Sequence, residues 1–194
     1  GLRAAITVTV NAIPALPTVT TLVNYCQGET ASQLTATGTG LLWYTAPTGG
    51  TGSATAPTPS TATAGTTIYY VSQTISGCEG PRESISVTVN ATPALPTVTT
   101  PINYCEGATA SVLAASGTGL LWYTLATGGT GSATAPTPST ATAGTTTYYV
   151  SQTILNCEGP RAAIVVTVNP IPLAPVVTTP ITYCQFSTTA TALT

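Results

Sequence analysis

The chain repeats itself every 79 residues. Cys26, Cys105 and Cys184 keep that spacing, as do Cys78 and Cys157, and Arg3, Arg82 and Arg161. Laid over 91–169, residues 12–90 agree at roughly four positions in five. A period this long exceeds most solenoid units and suits a small domain with its own core. The chain therefore divides into two full units, 12–90 and 91–169. Residues 1–11 match the close of a unit and read as the last strand of a preceding one. Residues 170–194 match the opening of a following one. Two readings account for the fragments: a window on a longer array, or half-units that complete each other between neighbouring chains.

Each unit closes on an alternating segment. In "ESISVTVN", Ile85, Val87 and Val89 fall on one face, and Ser84, Ser86 and Thr88 on the other. A period of two marks a half-buried strand. The same slots hold Ile164, Val166 and Val168 in the second unit, and Ile6, Val8 and Val10 at the start of the chain. "TTIYYVSQT" and "LLWYT" are aromatic and β-branched and read as strands too. "ASQLTAT" is a fourth, with Leu34 inward. "TGTG", "PTGGTG" and "ATAG" between them carry the glycines that tight turns use. No segment has helical periodicity. Short strands with a turn signal about every ten residues predict an all-β sandwich. Its expected core holds Trp43, Tyr69, Val71, Ile85, Val87 and Val89, with Trp122, Ile164, Val166 and Val168 in the second unit. "NAIPALPTV", "NATPALPTV" and "NPIPLAPVV" join the units as short, semi-rigid Pro-rich linkers.

Composition narrows what such units can do. Charged residues make up 4% of the chain, and there is no Lys, Asp, His or Met. Disorder normally pairs low hydrophobicity with high net charge; this chain is 43% hydrophobic with a net charge of -2, enough to bury a core. Three basic residues are too few for the counterion release behind nucleic-acid binding. No apolar run reaches the ~18 residues of a membrane span, and no signal-peptide pattern opens the chain.

Without His, Asp or Lys, a Ser-His-Asp triad, a Ser-Lys pair and a Schiff base are all impossible. Glu79 and Glu83, the nearest carboxylate pair, flank a turn, and the second unit has Ala162 in place of Glu83. The expectation is no enzyme, no cofactor and no metal. Trp43, Tyr44, Tyr69 and Tyr70 could stack on a sugar, but a core role for Trp43 and at least one tyrosine is the simpler reading. Arg82 is read as an ion-pair partner of Glu79 or as a solvated side chain.

Each unit carries cysteine, tryptophan and cysteine in that order: Cys26, Trp43, Cys78, then Cys105, Trp122, Cys157. That order suggests an immunoglobulin-like domain. Cys78, however, lies in the turn "SGCEGP", which places any bridge near an end of the sandwich. Two cysteines per unit make half of a zinc site, so a disulfide is the expected use, and it implies an oxidising compartment. Spacing does not fix connectivity. Pairing within units, Cys26–Cys78 and Cys105–Cys157, is the first expectation; pairing between neighbours, such as Cys26 to Cys157, is the alternative. Cys184 has no partner within its fragment.

The ordered motifs "YC-x-G", "LLWYT…TGG", "TTYYVSQT" and "NCEGPRAAIVVTVN" resemble the tandem Ig-like modules of large Bacteroidetes surface proteins. The resemblance covers both full units and both fragments. It implies sandwiches of about seven strands, export by the type IX system, and an extracellular, cell-surface location in an adhesin, gliding-motility filament or stalk. It supplies no catalytic residues. The expected partners are neighbouring Ig-like repeats of the same chain or filament. Surface glycans are the alternative partner, and subunits polymerising by strand donation a further one.

Overall fold

The computed structural model describes residues 3–177 together with Thr182 and Gln185. The rest of the third unit's opening, Cys184 included, lies outside the described residues. Two all-β modules follow one another with the same topology. The first contains β1 (Thr18–Val19), β2 (Leu22–Cys26), β3 (Ala36–Thr37), β4 (Leu42–Tyr44), β5 (Gly65–Ser72), β6 (Thr74–Ile75), β7 (Cys78–Glu79) and β8 (Glu83–Asn90). The second repeats them as β9 (Thr97–Val98), β10 (Ile102–Cys105), β11 (Ala115–Ser116), β12 (Leu121–Tyr123), β13 (Gly144–Ser151), β14 (Thr153–Ile154), β15 (Cys157–Glu158) and β16 (Ala162–Asn169).

Each module is organised around one four-stranded sheet, ordered β2-β8-β5-β4 and β10-β16-β13-β12. The long strands β5 and β8 run antiparallel from Gly65↔Val89 to Val71↔Glu83. The edge strand β2 lies parallel to β8, from Leu22↔Ser86 to Cys26↔Asn90. Alternation along β8 puts Ile85, Val87 and Val89 inside and leaves Ser84 in solvent. The core of the first module gathers Leu34, Trp43, Val71, Ile85 and Val87, with Tyr69 half-buried against them. The second gathers Leu113, Trp122, Val150, Ile164 and Val166 in the same way, and Val168 is buried as well.

The layer facing the sheet is mostly irregular. The segment "ASQLTAT" forms a strand only at Ala36–Thr37, which pairs with β1. Leu34 is buried, but its N–H goes to the Pro57 carbonyl, 2.9 Å away. Pro57 and Pro59 have no N–H to return, so a continuous ladder cannot form along this edge. Arg3–Asn11 is in no strand either. A strand needs partners on its own sheet, and here Ile6, Val8 and Val10 are 89%, 80% and 90% exposed.

The first two Pro-rich linkers are part of the module they precede. Pro14 and Pro17 are buried, and so are Pro93 and Pro96. The Gln73 side chain donates to the Ala15 carbonyl at 2.9 Å, and Gln152 to the Ala94 carbonyl at 2.8 Å. The linker passes so close to the β6–β7 hairpin that a Cβ on Gly80 would lie 2.7 Å from the Pro14 oxygen; on Gly159 it would lie 2.6 Å from that of Pro93. Only glycine fits such an approach. These two segments are docked straps, where the sequence suggested short, semi-rigid spacers between the units.

Candidate functional site: the module junction and its polar clasp

The hairpin β6–β7 turns through Ser76 and Gly77, and β14–β15 through Leu155 and Asn156, all with positive φ. Two such residues in succession make the tight turn whose twist matches the strands it joins. The hairpin serves two structures. Its tip faces the neighbouring module, and its base holds a glutamate against the core.

At the tip, Cys157 is bonded to Cys26 of the preceding module, with 5.5 Å between their Cα atoms and 131 positions between them in sequence. Cys26 sits at the end of β2 beside Asn90, and the next residue, Gln27, donates its N–H to the Asn90 carbonyl at 2.8 Å. Asn90 is where the first module ends and the strap to the second begins. The bridge therefore closes a ring at the junction: end of β2, end of β8, strap, hairpin, sulfur. Within it Cys157 is only 1% exposed. This corrects the expected pairing. Cys26–Cys78 and Cys105–Cys157 do not form, and among the described residues Cys78 and Cys105 are free thiols, the first half-buried and the second exposed. The reason is placement: the two cysteines of a module belong to different junctions, one on the hairpin over the preceding strap, the other at the strand end leading to the next.

At the base of the hairpin, one oxygen of Glu79 accepts two hydrogen bonds, from the Tyr44 hydroxyl and the Ser72 hydroxyl, both at 2.6 Å. Arg82 lies flat on the Tyr44 ring, 3.2 Å from its centroid, and donates to the Ala46 carbonyl. The second module repeats the cluster. Tyr123 and Ser151 each donate to Glu158 at 2.7 Å, and Arg161 stacks on Tyr123 at 3.2 Å. Arg161 also reaches Glu158 at 3.8 Å and two carbonyls, Leu125 and Gly128. The hydroxyl donors hold Glu79 below the usual carboxylate range, Ser72 first and Tyr44 next, with Arg82 adding to them against the opposing effect of burial. At Glu158 burial pushes upward, but Ser151, Tyr123 and Arg161 outweigh it and the carboxyl is again lowered. Tyr44 is pushed up, by burial and then by its bond to Glu79. With one ionised partner in each hydrogen bond, these are strong contacts, and they fasten β4, β5 and the hairpin together.

The aromatic residues considered for sugar stacking are mostly spent in this way. Trp43 is 5% exposed and Tyr44 is 7%; Tyr69 and Tyr70 are half-buried. Trp43 is further pinned by a two-way backbone bridge to Ser53, at 2.8 and 3.0 Å. Trp43, Tyr44 and Tyr69 nonetheless border an open cleft of about 410 Å³, repeated at Trp122, Tyr123 and Tyr148 in the second module. No helix among the described residues is long and apolar enough to cross a membrane.

A family model described as "Ig-like domain CHU_C associated" matches the chain twice, over residues 14–91 and 93–170. The chain belongs to this family. No curated protein gave a match. Each Ig-like match takes in a buried strap as well as its sandwich. The straps thus fall inside the Ig-like unit, in agreement with their packing.

Proposed function

We propose that this chain is a structural region of an extracellular bacterial surface protein, a stiff spacer in a stalk, adhesin or filament, whose Ig-like modules are locked to their neighbours by disulfides. The observation that carries the reading is the Cys26–Cys157 bridge, which joins two modules and spends sulfur on the connection between them. An oxidising, extracellular setting suits such a bond. The role is non-enzymatic and needs no unique cluster of reactive groups, since repetition itself supplies reach.

Small-angle scattering of the oxidised and reduced chain tests it. The oxidised protein should give one well-defined particle with the modules in series, and a thiol reductant should broaden the distance distribution without unfolding either module. A compact globule, unchanged on reduction, sinks the spacer reading. Protease shaving of intact cells tests the location: the modules should be released into the medium.

A further inference from the structure

We propose that the cleft beside Trp43, and its copy beside Trp122, is a binding site for a neutral saccharide. The first measures about 410 Å³ and the second about 250 Å³, near the size of small-ligand pockets. The apolar lining of the first includes Trp43, Pro57 and the half-buried Tyr69, and its polar lining the exposed Thr45, Thr51 and Thr55. The second cleft has the same residue types at the equivalent places, with Trp122, Pro136 and Tyr148 beside Thr124, Thr130 and Thr134. The walls are fixed before any ligand arrives. The two-way backbone bridge to Ser53 ties one wall to Trp43. The Ser53 hydroxyl donates to the Thr55 carbonyl at 3.0 Å and accepts the Thr55 N–H at 3.1 Å. A Cβ on Gly52 would lie 2.6 Å from the Tyr44 hydroxyl oxygen, so this segment is packed hard onto the clasp; Gly131 stands the same way against Tyr123. A preformed cleft loses little freedom on binding.

The lining selects the chemistry. Among the described residues, none that lines either cleft is charged at neutral pH, and Glu79 and Arg82, which touch Tyr44, are spent in the clasp. A charged ligand would give up water there and find no opposite charge in the lining. Threonine hydroxyls both donate and accept, and aromatic and proline carbons lie beside them. A pyranose matches both, with hydroxyls around its rim that donate and accept and C–H faces that pack on apolar surface. A proline-rich peptide also docks on aromatic side chains, but its prolines have no N–H to offer the threonine oxygens. With one cleft in each module, a glycan with many copies of the same unit could engage both, gaining avidity without any new contact.

This inference goes beyond the spacer reading, and either can fail without the other, since one is read from shape and the other from ligand binding. The chain has two tryptophans, and each borders one cleft, so tryptophan emission reports on these sites. The whole chain is titrated with cellobiose, maltose and N,N′-diacetylchitobiose, and in parallel with a decaproline peptide and a heparin disaccharide. At least one neutral disaccharide should give a saturable change in emission, and heparin disaccharide none. The double variant Thr55→Val, Thr134→Val removes one hydroxyl from each cleft at nearly constant shape. It should weaken that saccharide by about fivefold while its thermal melt stays that of the parent, which separates lost recognition from lost folding. No saturable change with any of the neutral disaccharides, saturation by decaproline or heparin disaccharide alone, or undiminished binding by the double variant would each overturn the inference.

Discussion

The junction between the modules and the two ends that resemble it carry nearly the same residues, yet they differ in packing. At the closed junction the strap prolines Pro93 and Pro96 are buried and Cys157 is almost fully enclosed. At the C-terminal end the corresponding Pro172 and Pro175 are exposed, as are Ile171 and Leu173. The N-terminal end is intermediate: its strap is docked, but Cys78 has no sulfur partner among the described residues. A strap therefore packs because of the hairpin that follows it, and the disulfide adds a second tie to the module before. Docking is a property of one module; locking is a property of two.

The largest test of that distinction is the bridge itself. Cys26→Ser opens a closed loop of more than a hundred residues, and the chain-entropy model puts the loss at up to about 5 kcal/mol against the fully unfolded chain. Denaturant unfolding of the oxidised protein should show the loss, while Cys105→Ser at the open end changes stability by less than about 0.5 kcal/mol. Under reductant the two variants should coincide. Equal effects in the oxidised state would erase the difference between closed and open junctions.

Docking should cost the same at either strap. Gly159→Ala and Gly80→Ala each force a methyl against a backbone oxygen, an overpacking expected to cost about 1–3 kcal/mol. Both should speed hydrogen exchange in the hairpin of their own module, whether or not its cysteine is bridged. If only Gly159→Ala has an effect, the strap is held by the disulfide and not by the hairpin.

The polar clasp gives both modules one pH dependence. Glu79 and Glu158 have folded pKa values below their unfolded ones. Their contribution is therefore fully present above the unfolded carboxylate value and is lost as pH falls through the lowered, folded one. Thermal melts should show acid destabilisation below about pH 4.5, and Glu79→Gln with Glu158→Gln should flatten it. At neutral pH, Tyr44→Phe and Tyr123→Phe should each cost about 1–2 kcal/mol, by removing one donor to a carboxylate.

The smallest effect separates the two hairpin turns. Leu155 holds φ 51° where the first module has Ser76, with φ 50°. A branched apolar side chain tolerates this region poorly, whereas Asn visits it readily. Leu155→Asn should stabilise the second module by about 0.5–1 kcal/mol in chemical denaturation. Ser76→Asn should gain less.

How much of this was legible follows from what each feature depends on. Alternation in "ESISVTVN" marks β8 directly, because a ladder of period two is a local property. "ASQLTAT" reads just as well as a strand, but the prolines opposite it, Pro57 and Pro59, decide otherwise. Cysteine pairing was not legible, since it depends on Cα separations that linear spacing does not contain. A signal was present all the same: the glycine-flanked segment around Cys78 marks a hairpin at the margin of its module, away from the centre of the sandwich. The clasp was missed because Tyr44, Ser72, Glu79 and Arg82 lie on separate segments. What marks them is retention. In a chain with so few charges, Glu79 and Arg82 recur as Glu158 and Arg161 while Glu83 gives way to Ala162.

The Cys26–Cys157 bond also alters what happens when the chain is pulled from its two ends. Tension entering through residues before Cys26 can cross at sulfur to Cys157 and leave through β16, so the intervening segment of the 131-position separation never bears it. Fully extended, that segment would span roughly 450 Å; it is shielded from load while the bond is intact and, once the bond is reduced, can extend only as the modules themselves unfold under tension. A tether so built would be short and unyielding in oxidising surroundings, and under a reductant its length would be limited only by the mechanical resistance of the folded modules.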